Sequence, residues 1–308
     1  MKKIFIKLSN NLFSSITFVS SLTILFIVMG IFTCLFIESY DAIKKFGFFN
    51  FLIGETWNFK ENIFGGFRPF VGTIITSILA LLFAIPIAIG IAVFITELCP
   101  NFLKNFFSMV IELLAAIPSI IYGMWGLFTF APIIDKIIQQ PLTKMFENIP
   151  ILKNIFNAEF SGGVGIFTAS IVLSIMVIPY IASIARDTFM QTPSVLKESA
   201  YGIGSTKWEV IKNIVMPYSK KAVMGGIIIA SGRAIGETMA VAYIIGNSHK
   251  ALSSIFDPYV TVTSVLANEF NEASGIHLSS LFLLALILFI SNFMLLFLAK
   301  IYVRRQVS

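Results

Sequence analysis

Residues Gly225–Gly246 read GGIIIASGRAIGETMAVAYIIG. At 1.5 Å per residue this stretch rises about 33 Å as a helix, enough to cross a hydrocarbon core of about 30 Å. It is apolar except for Arg233 and Glu237 in its middle. An Arg at the centre of a span costs about 2.5–3.5 kcal/mol on insertion scales, so the charged face is expected to look onto protein or a water-filled path rather than lipid. Read as one helix from about 222 to 245, Arg233 and Glu237 stand about 40° apart round the axis and share a face. An ion pair along that face is expected. Arg before Glu is the weaker order, so a further group from elsewhere is expected to complete it. Gly232 and Gly236 form a small-xxx-small pair through which another helix can approach.

The rest of the chain is of the same kind. Of its 308 residues 57% are hydrophobic and only 12% charged, and the mean hydropathy is +0.89, whereas a soluble domain is about 25% charged. Runs at about 16–37, 70–95, 106–132, 164–185, 222–245 and 279–302 are each long enough to span. The expected fold is therefore an all-α integral membrane protein with six transmembrane helices and one membrane domain, residues 1–308. Pro118 and Pro179 predict kinks in the third and fourth spans. The start, MKKIFIKLSNNLFSS, is basic, but the run after it exceeds a signal-peptide core of roughly 7–15 residues and no A-x-A-like site follows. It reads as an uncleaved first span.

Charge sets the orientation. With the N-terminus inside, thirteen of the 22 Lys and Arg residues fall on the inner side and eight on the outer, Arg233 being the last. Ten of the sixteen acids fall outside. Both termini are thus expected in the cytoplasm, and the net charge of +6 reads as membrane orientation, not as nucleic-acid binding. Cys34 and Cys99 come out on opposite sides, which argues against a disulfide. No cluster suggests a metal, and His249 and His277 look isolated, as solvated loop or interface residues. In the outer loop 133–163, Ile133, Ile134, Ile137 and Ile138 form a helical stripe, to lie either in lipid headgroups or against a partner.

The inner loop after the fourth span reads ARDTFMQTPSVLKESAYGIGSTKWEVIKNIVMPYSKK. Thr192 with Pro193 predicts a helix start, and Gly202 and Gly204 its end. Thr206 and Glu209 have the spacing of a capping box. The helix they open carries Trp208, Ile211, Ile214 and Val215 at helical spacing until Pro217 interrupts it. Such an elbow is a compact projection suited to receiving force from a soluble partner.

Glu198, Ser199 and Ala200, then Gly204 after three residues and Ile214–Pro217 after nine more, closely resemble the E-A-A-x3-G-x9-I-x-L-P loop of ABC importer permeases. Ser at the second position and Met for Leu are mild departures. The blocks 68–97, 112–132 and 232–247 narrow the resemblance to the PstC-type permeases of phosphate importers. The sister PstA type usually continues the R-A-x-G-E-T block with Ala-Pro-Leu, where Met239, Ala240 and Val241 follow here.

The resemblance implies the type I ABC importer permease fold, with core helices over about 70–302 and an ATPase-coupling loop over about 186–221. It implies that Glu198, Ala200 and Gly204 dock on an ATPase subunit. It also implies residence in the cell inner (plasma) membrane and no resident cofactor. The expected partners are a second, similar (PstA-like) permease, two cytoplasmic (PstB-like) ATPase subunits, an extracytoplasmic (PstS-like) phosphate-binding protein and membrane lipid. No G-x4-G-K-[ST] occurs in the chain, so ATP hydrolysis is expected on a separate subunit and the chain is not expected to be an enzyme.

A guanidinium offers phosphate two parallel hydrogen bonds and a charge that does not titrate away. Arg233 is thus a candidate stop on a phosphate path, released from Glu237 in one state. The other reading is a fixed salt bridge that locks helices. Thr73, Thr76 and Ser77 share a face of the second span and can donate hydroxyls to an anion, or bond to their own helix carbonyls. Glu112 reaches the inner interface. A related oxyanion such as arsenate, an ion-coupled secondary transporter and an intramembrane enzyme are the competing readings. The last lacks any recognisable nucleophile or metal-ligand motif.

Overall fold

The computed structural model describes residues 2–147, 149–157 and 162–305, with the side chains of residues 2–12, 150, 151, 154 and 302–305 set aside. The basic side chains expected to anchor both termini, Lys2, Lys3, Lys7, Arg304 and Arg305, and the outer-loop Glu159 lie outside the described residues.

The helices run α1 (Lys2–Glu38), α2 (Tyr40–Phe46), α3 (Phe48–Ile53), then a small hairpin of β1 (Trp57–Asn58) and β2 (Ile63–Phe64), then α4 (Phe67–Val93) and α5 (Asn101–Ala116). Next come α6 (Ser119–Trp125), α7 (Ala131–Ile134) and α8 (Gln140–Phe146), fused into one rod by π turns, and the short α9 (Pro150–Ile155). The second half holds α10 (Ile166–Met190), α11 (Ser194–Gly202), α12 (Lys207–Val210), α13 (Met216–Gly236), α14 (Met239–Ile244), α15 (Val262–Glu269) and α16 (Ile276–Arg305). Among the described residues five helices are long and apolar enough to cross a membrane: Phe13–Glu38, Phe67–Leu98, Ser119–Phe146, Ile166–Met190 and Ile276–Ile301. The sixth expected span, 222–245, is a broken one.

α10 is the hub. It packs along α4, α13 and α5, and buries Ile166, Val172, Leu173, Val177 and Ile181 in the main core. Its Pro179 is absorbed without a break. Pro118 acts differently. A residue before proline is driven out of the α region, and Ile117 is extended at ψ 127°, so α5 ends at Ala116 and a new helix starts at Ser119. The third span is therefore Ser119–Phe146, not 106–132, and it carries the isoleucine stripe. Ile134 is buried in it, while Ile133 and Ile137 stay exposed. The freed carbonyls of α5 are bonded by tyrosines: Tyr122 Oη donates to Leu114 O at 3.0 Å and Tyr180 Oη to Ala115 O at 3.1 Å.

Outside this core, α1 rests on α16 with none of its spanning window buried. A concavity of about 620 Å³ between α1, α13 and α16 is walled by Val28, Ile229, Leu288, Phe289 and other mostly apolar side chains, with Asn292 among them. It is a greasy groove of the membrane face and lies apart from the polar residues described next.

Candidate functional site

The charged span is the main departure from expectation. α13 ends at Gly236, Glu237 is extended at φ −69°, ψ 128°, and α14 begins only at Met239. Arg233 thus sits in the last turn of a helix, where the C-terminal end of the dipole favours a cation, and not at a midpoint. It does not pair with Glu237. Its guanidinium lies over the Tyr180 ring, 4.4 Å from the centroid, a cation–π contact. Arg233 is on an exposed face of this chain, whereas Glu237 is 8% exposed. The periodicity argument failed because it assumed an unbroken helix. At Gly232 a Cβ would make only ordinary contact with Leu296 and Asn292 of α16, at 3.8 and 3.9 Å, and at Gly236 it would meet nothing within 4 Å. Close approaches occur elsewhere, with Gly126 of the third span against Ile244 and Gly123 against Ala240.

Backbone outside regular structure at membrane depth persists only where protein or a cavity satisfies it. Here hydroxyls do so. Thr263 Oγ1 donates to Glu237 O at 2.7 Å and Thr238 Oγ1 to Gly236 O at 3.3 Å. Discontinuous helices of this kind are where transporters build binding sites.

A polar recess opens at the break. Thr73, Thr76 and Ser77 of α4 meet Glu237 there, together with Thr261 and Thr263 at the start of α15. The sequence had grouped the first four. Thr261 and Thr263 were missed, and the only signal was the T-x-x-S capping pattern 261–264. Gly72 makes the assembly possible, since a Cβ there would overlap the Val260 carbonyl oxygen. The chain therefore lies close on α4, and Val262 N–H donates to Thr73 Oγ1 at 2.9 Å. Thr73 also donates to Pro69 O at 2.8 Å, so its one hydroxyl proton is committed. Thr76 Oγ1 is buried with no hydrogen-bond partner among the described residues. The recess is too tight in this conformation to admit water.

The far end of α15 is also held. Glu269 accepts from Trp57 Nε1 at 2.9 Å and lies 2.8 Å from His277 Nε2 and 3.3 Å from His249 Nε2. Trp57 stacks on His249 and Phe64 on His277. The two histidines expected to be isolated therefore share one carboxylate. Arg68 donates to the His249 carbonyl and pairs with Glu55 at 3.4 Å. Burial pushes the Glu269 carboxyl up, but the hydrogen bonds from His249, Trp57 and His277 outweigh it and hold it below its ordinary value. One short helix thus links this Glu269 knot to the recess.

In the elbow after α10, Pro193 and not Thr192 occupies the cap of α11, and the Thr192 hydroxyl is buried and unpartnered among the described residues. The Thr206–Glu209 capping box is present, with Thr206 N–H to Glu209 Oε2 at 2.7 Å. The same bonds hold the Glu209 carboxyl below its ordinary range. Gly204 takes φ +93° at the elbow, a conformation that favours glycine. Glu198 and Gly204 are exposed and Ala200 is buried. Val210, Ile211 and Val215 pack into the protein, while Trp208 (62% exposed) and Ile203 (86% exposed) face outward. Lys197 of α11 pairs with Glu97 at 2.5 Å, and Arg186 with Glu112 at 3.2 Å, which is the contact Glu112 makes at its interface.

Pro217 does not end the second elbow helix. A π turn over Ile211–Val215 leads straight into α13. Its wider ladder accommodates a residue that lacks an N–H and would clash with an α-helical carbonyl. The result is a continuous rod from Lys207 to Gly236, about 45 Å long, with the elbow at one end and Arg233 at the other.

A profile of the family described as binding-protein-dependent transport system inner membrane component matches residues 84–308. The phosphate transport system permease protein PstC of Mesorhizobium japonicum is 46% identical over 299 residues, spanning 97% of this chain and 91% of its own length. That of Haemophilus influenzae is 44% identical over 296 residues, spanning 96% and 93%. Among solved structures, a chain of a bacterial ABC transporter involved in the import of the acidic polysaccharide alginate superposes with a TM-score of 0.55 at 17% identity, over 78% of this chain and 79% of that one. A chain of the MetNI methionine ABC transporter in an inward-facing conformation gives 0.54 at 13% identity, over 76% and 92%. At those identities the structures speak for the fold alone. The chain belongs to the binding-protein-dependent transport system inner membrane components, the multi-pass permeases of ABC importers, within their PstC branch.

Proposed function

We propose that this chain is the PstC-type permease of a phosphate importer and acts as one transmembrane domain over residues 1–308. The observation that carries the mechanism is the unbroken rod Lys207–Gly236. Near full-length likeness to PstC proteins supports phosphate as the cargo. In this reading both termini are cytoplasmic. Glu198, Ala200 and Gly204, with the exposed Trp208 and Ile203 beside them, meet a PstB-like ATPase. A PstA-like permease covers the exposed face that carries Ile229, Arg233 and Met239. A PstS-like binding protein delivers phosphate from outside.

ATP closes the ATPase dimer and displaces the elbow. The rod carries that displacement to the break at Gly236–Thr238, where the helix has no backbone ladder to resist bending. Arg233, Glu237, Thr73, Thr76 and Ser77 line the phosphate path, and Arg233 supplies the positive counter-charge that hydrocarbon does not offer the anion. The stop must hold weakly, because a conduit has to let go.

Uptake of radiolabelled phosphate in cells lacking this chain tests the reading, with sulfate and molybdate uptake as controls. Phosphate uptake falls and returns on complementation, while the controls do not change. Unchanged phosphate uptake, or an equal fall in sulfate, overturns it.

A further inference from the structure

A carboxylate is a poor neighbour for an anion, yet Glu237 lines the recess that the path crosses. Its surroundings define what it can bind. Glu237 and Thr76 are 8% and 1% exposed. The Thr76 hydroxyl has no partner among the described residues, and neither ion pair nor side-chain hydrogen bond reaches the Glu237 carboxylate among them. Three of the other four hydroxyls are committed: Thr73 to Pro69 O and Val262 N–H, Thr263 to Glu237 O, and Thr261 to Ser264 N–H, while Ser77, also at the recess, makes no hydrogen bond among the described residues. An ionised carboxylate only accepts hydrogen bonds, whereas a threonine hydroxyl gives or takes one. A guest that suits both must bring its own proton and offer bare oxygens as well.

We propose that Glu237 is the specificity-determining residue of a subsite for protonated oxyanions, completed by Thr76 and bordered by Thr261 and Thr263. This rests on the phosphate-permease reading. At neutral pH phosphate and arsenate carry at least one P–OH or As–OH, and sulfate carries none. A P–OH donates to the Glu237 carboxylate in a short, charge-assisted bond, while a bare oxygen of phosphate accepts from Thr76. Arg233, four residues earlier in sequence, lies over Tyr180 on the exposed face and is not part of the lining of the recess. Sulfate meets the same carboxylate with four unprotonated oxygens and is repelled. The carboxylate thus adds a second check inside the membrane, independent of any upstream delivery protein. The recess has no room for a guest in this conformation, so occupancy follows movement at the Gly236–Thr238 break.

The test uses the assembled permease–ATPase complex trapped with ATP, without binding protein. Ala234, which lines the recess but is not assigned a bond to the guest, becomes the reporter as Ala234→Cys in a Cys34→Ser, Cys99→Ser background. A small thiol reagent modifies it in the presence of inorganic phosphate, arsenate or sulfate. Phosphate and arsenate are expected to slow modification several-fold and sulfate not at all. Glu237→Gln, whose amide donates to bare oxygens, lets sulfate protect as well, and Glu237→Asp restores the preference. Equal protection by sulfate with Glu237 in place overturns the proposal, as does protection by none of the three. Neither result touches the phosphate reading, which whole-cell uptake decides. Should Glu237→Gln fail to assemble, the phosphate-to-sulfate comparison with Glu237 present still decides.

Discussion

At the scale of single residues, Arg233 carries the two roles that the sequence left open. Its contact is the Tyr180 ring of α10 and not Glu237, so the Arg233–Glu237 pair is not formed in this structure. Arg233→Gln is expected to abolish phosphate uptake while the complex still co-purifies with its ATPase. Loss of assembly would return it to a structural role. Glu269 gives a pH signature. Its carboxyl is lowered on folding, so its stabilisation is present above the unfolded value of about 4.3 and is lost as pH falls through the lower folded value. In a protein keeping Trp57 as its only tryptophan, the emission should hold steady through pH 5 and shift red only below the ordinary carboxylate range. A transition at the ordinary value, or none that depends on Glu269, contradicts the Glu269 knot. Neither Glu269 nor its two histidines stood out beforehand, because 28 residues separate His249 from His277 and only the fold brings them together.

At the scale of elements, local signals were read well and long-range ones were not. The Thr206–Glu209 box needs only two residues three apart, and the structure has it. Thr206→Ala should cost the start of the rod about 1 kcal/mol, read as roughly fivefold faster hydrogen exchange over 208–211; unchanged exchange would mean the rod is held by packing alone. The break of Pro118 was legible because proline acts on its own neighbours. The break at Gly236 was not. A lone glycine is tolerated in a helix, and what replaces the missing ladder here is Thr263, 26 residues away in sequence. Pro217 misled in the opposite sense, since a π turn lets the helix run past it. Gly126→Leu should drive a side chain into Ile244, where even a Cβ is already too close, and separate the third span from α14. Reduced yield of folded complex is the expected readout, and normal yield would show that the contact yields.

At the scale of the whole molecule, the membrane class and most spans follow from hydropathy, because five helices need nothing but length and apolar composition to declare themselves. The site depends on the sixth, whose charges and break remove it from that class. What results is a rod joined to the 194–206 elbow at one end and to a hinge at the other, with α15 bridging the hinge to the Glu269 knot. The most direct measurement is of paired spin-label distances in the assembled complex, with Cys34 and Cys99 replaced by Ser, with and without trapped ATP. Labels at Lys207→Cys and Lys221→Cys report on the rod, and labels at Lys221→Cys and Glu272→Cys report across the break. The first separation should stay constant between nucleotide states while the second shifts by several ångström. A rod that bends while the distance across the break stays fixed would contradict the account.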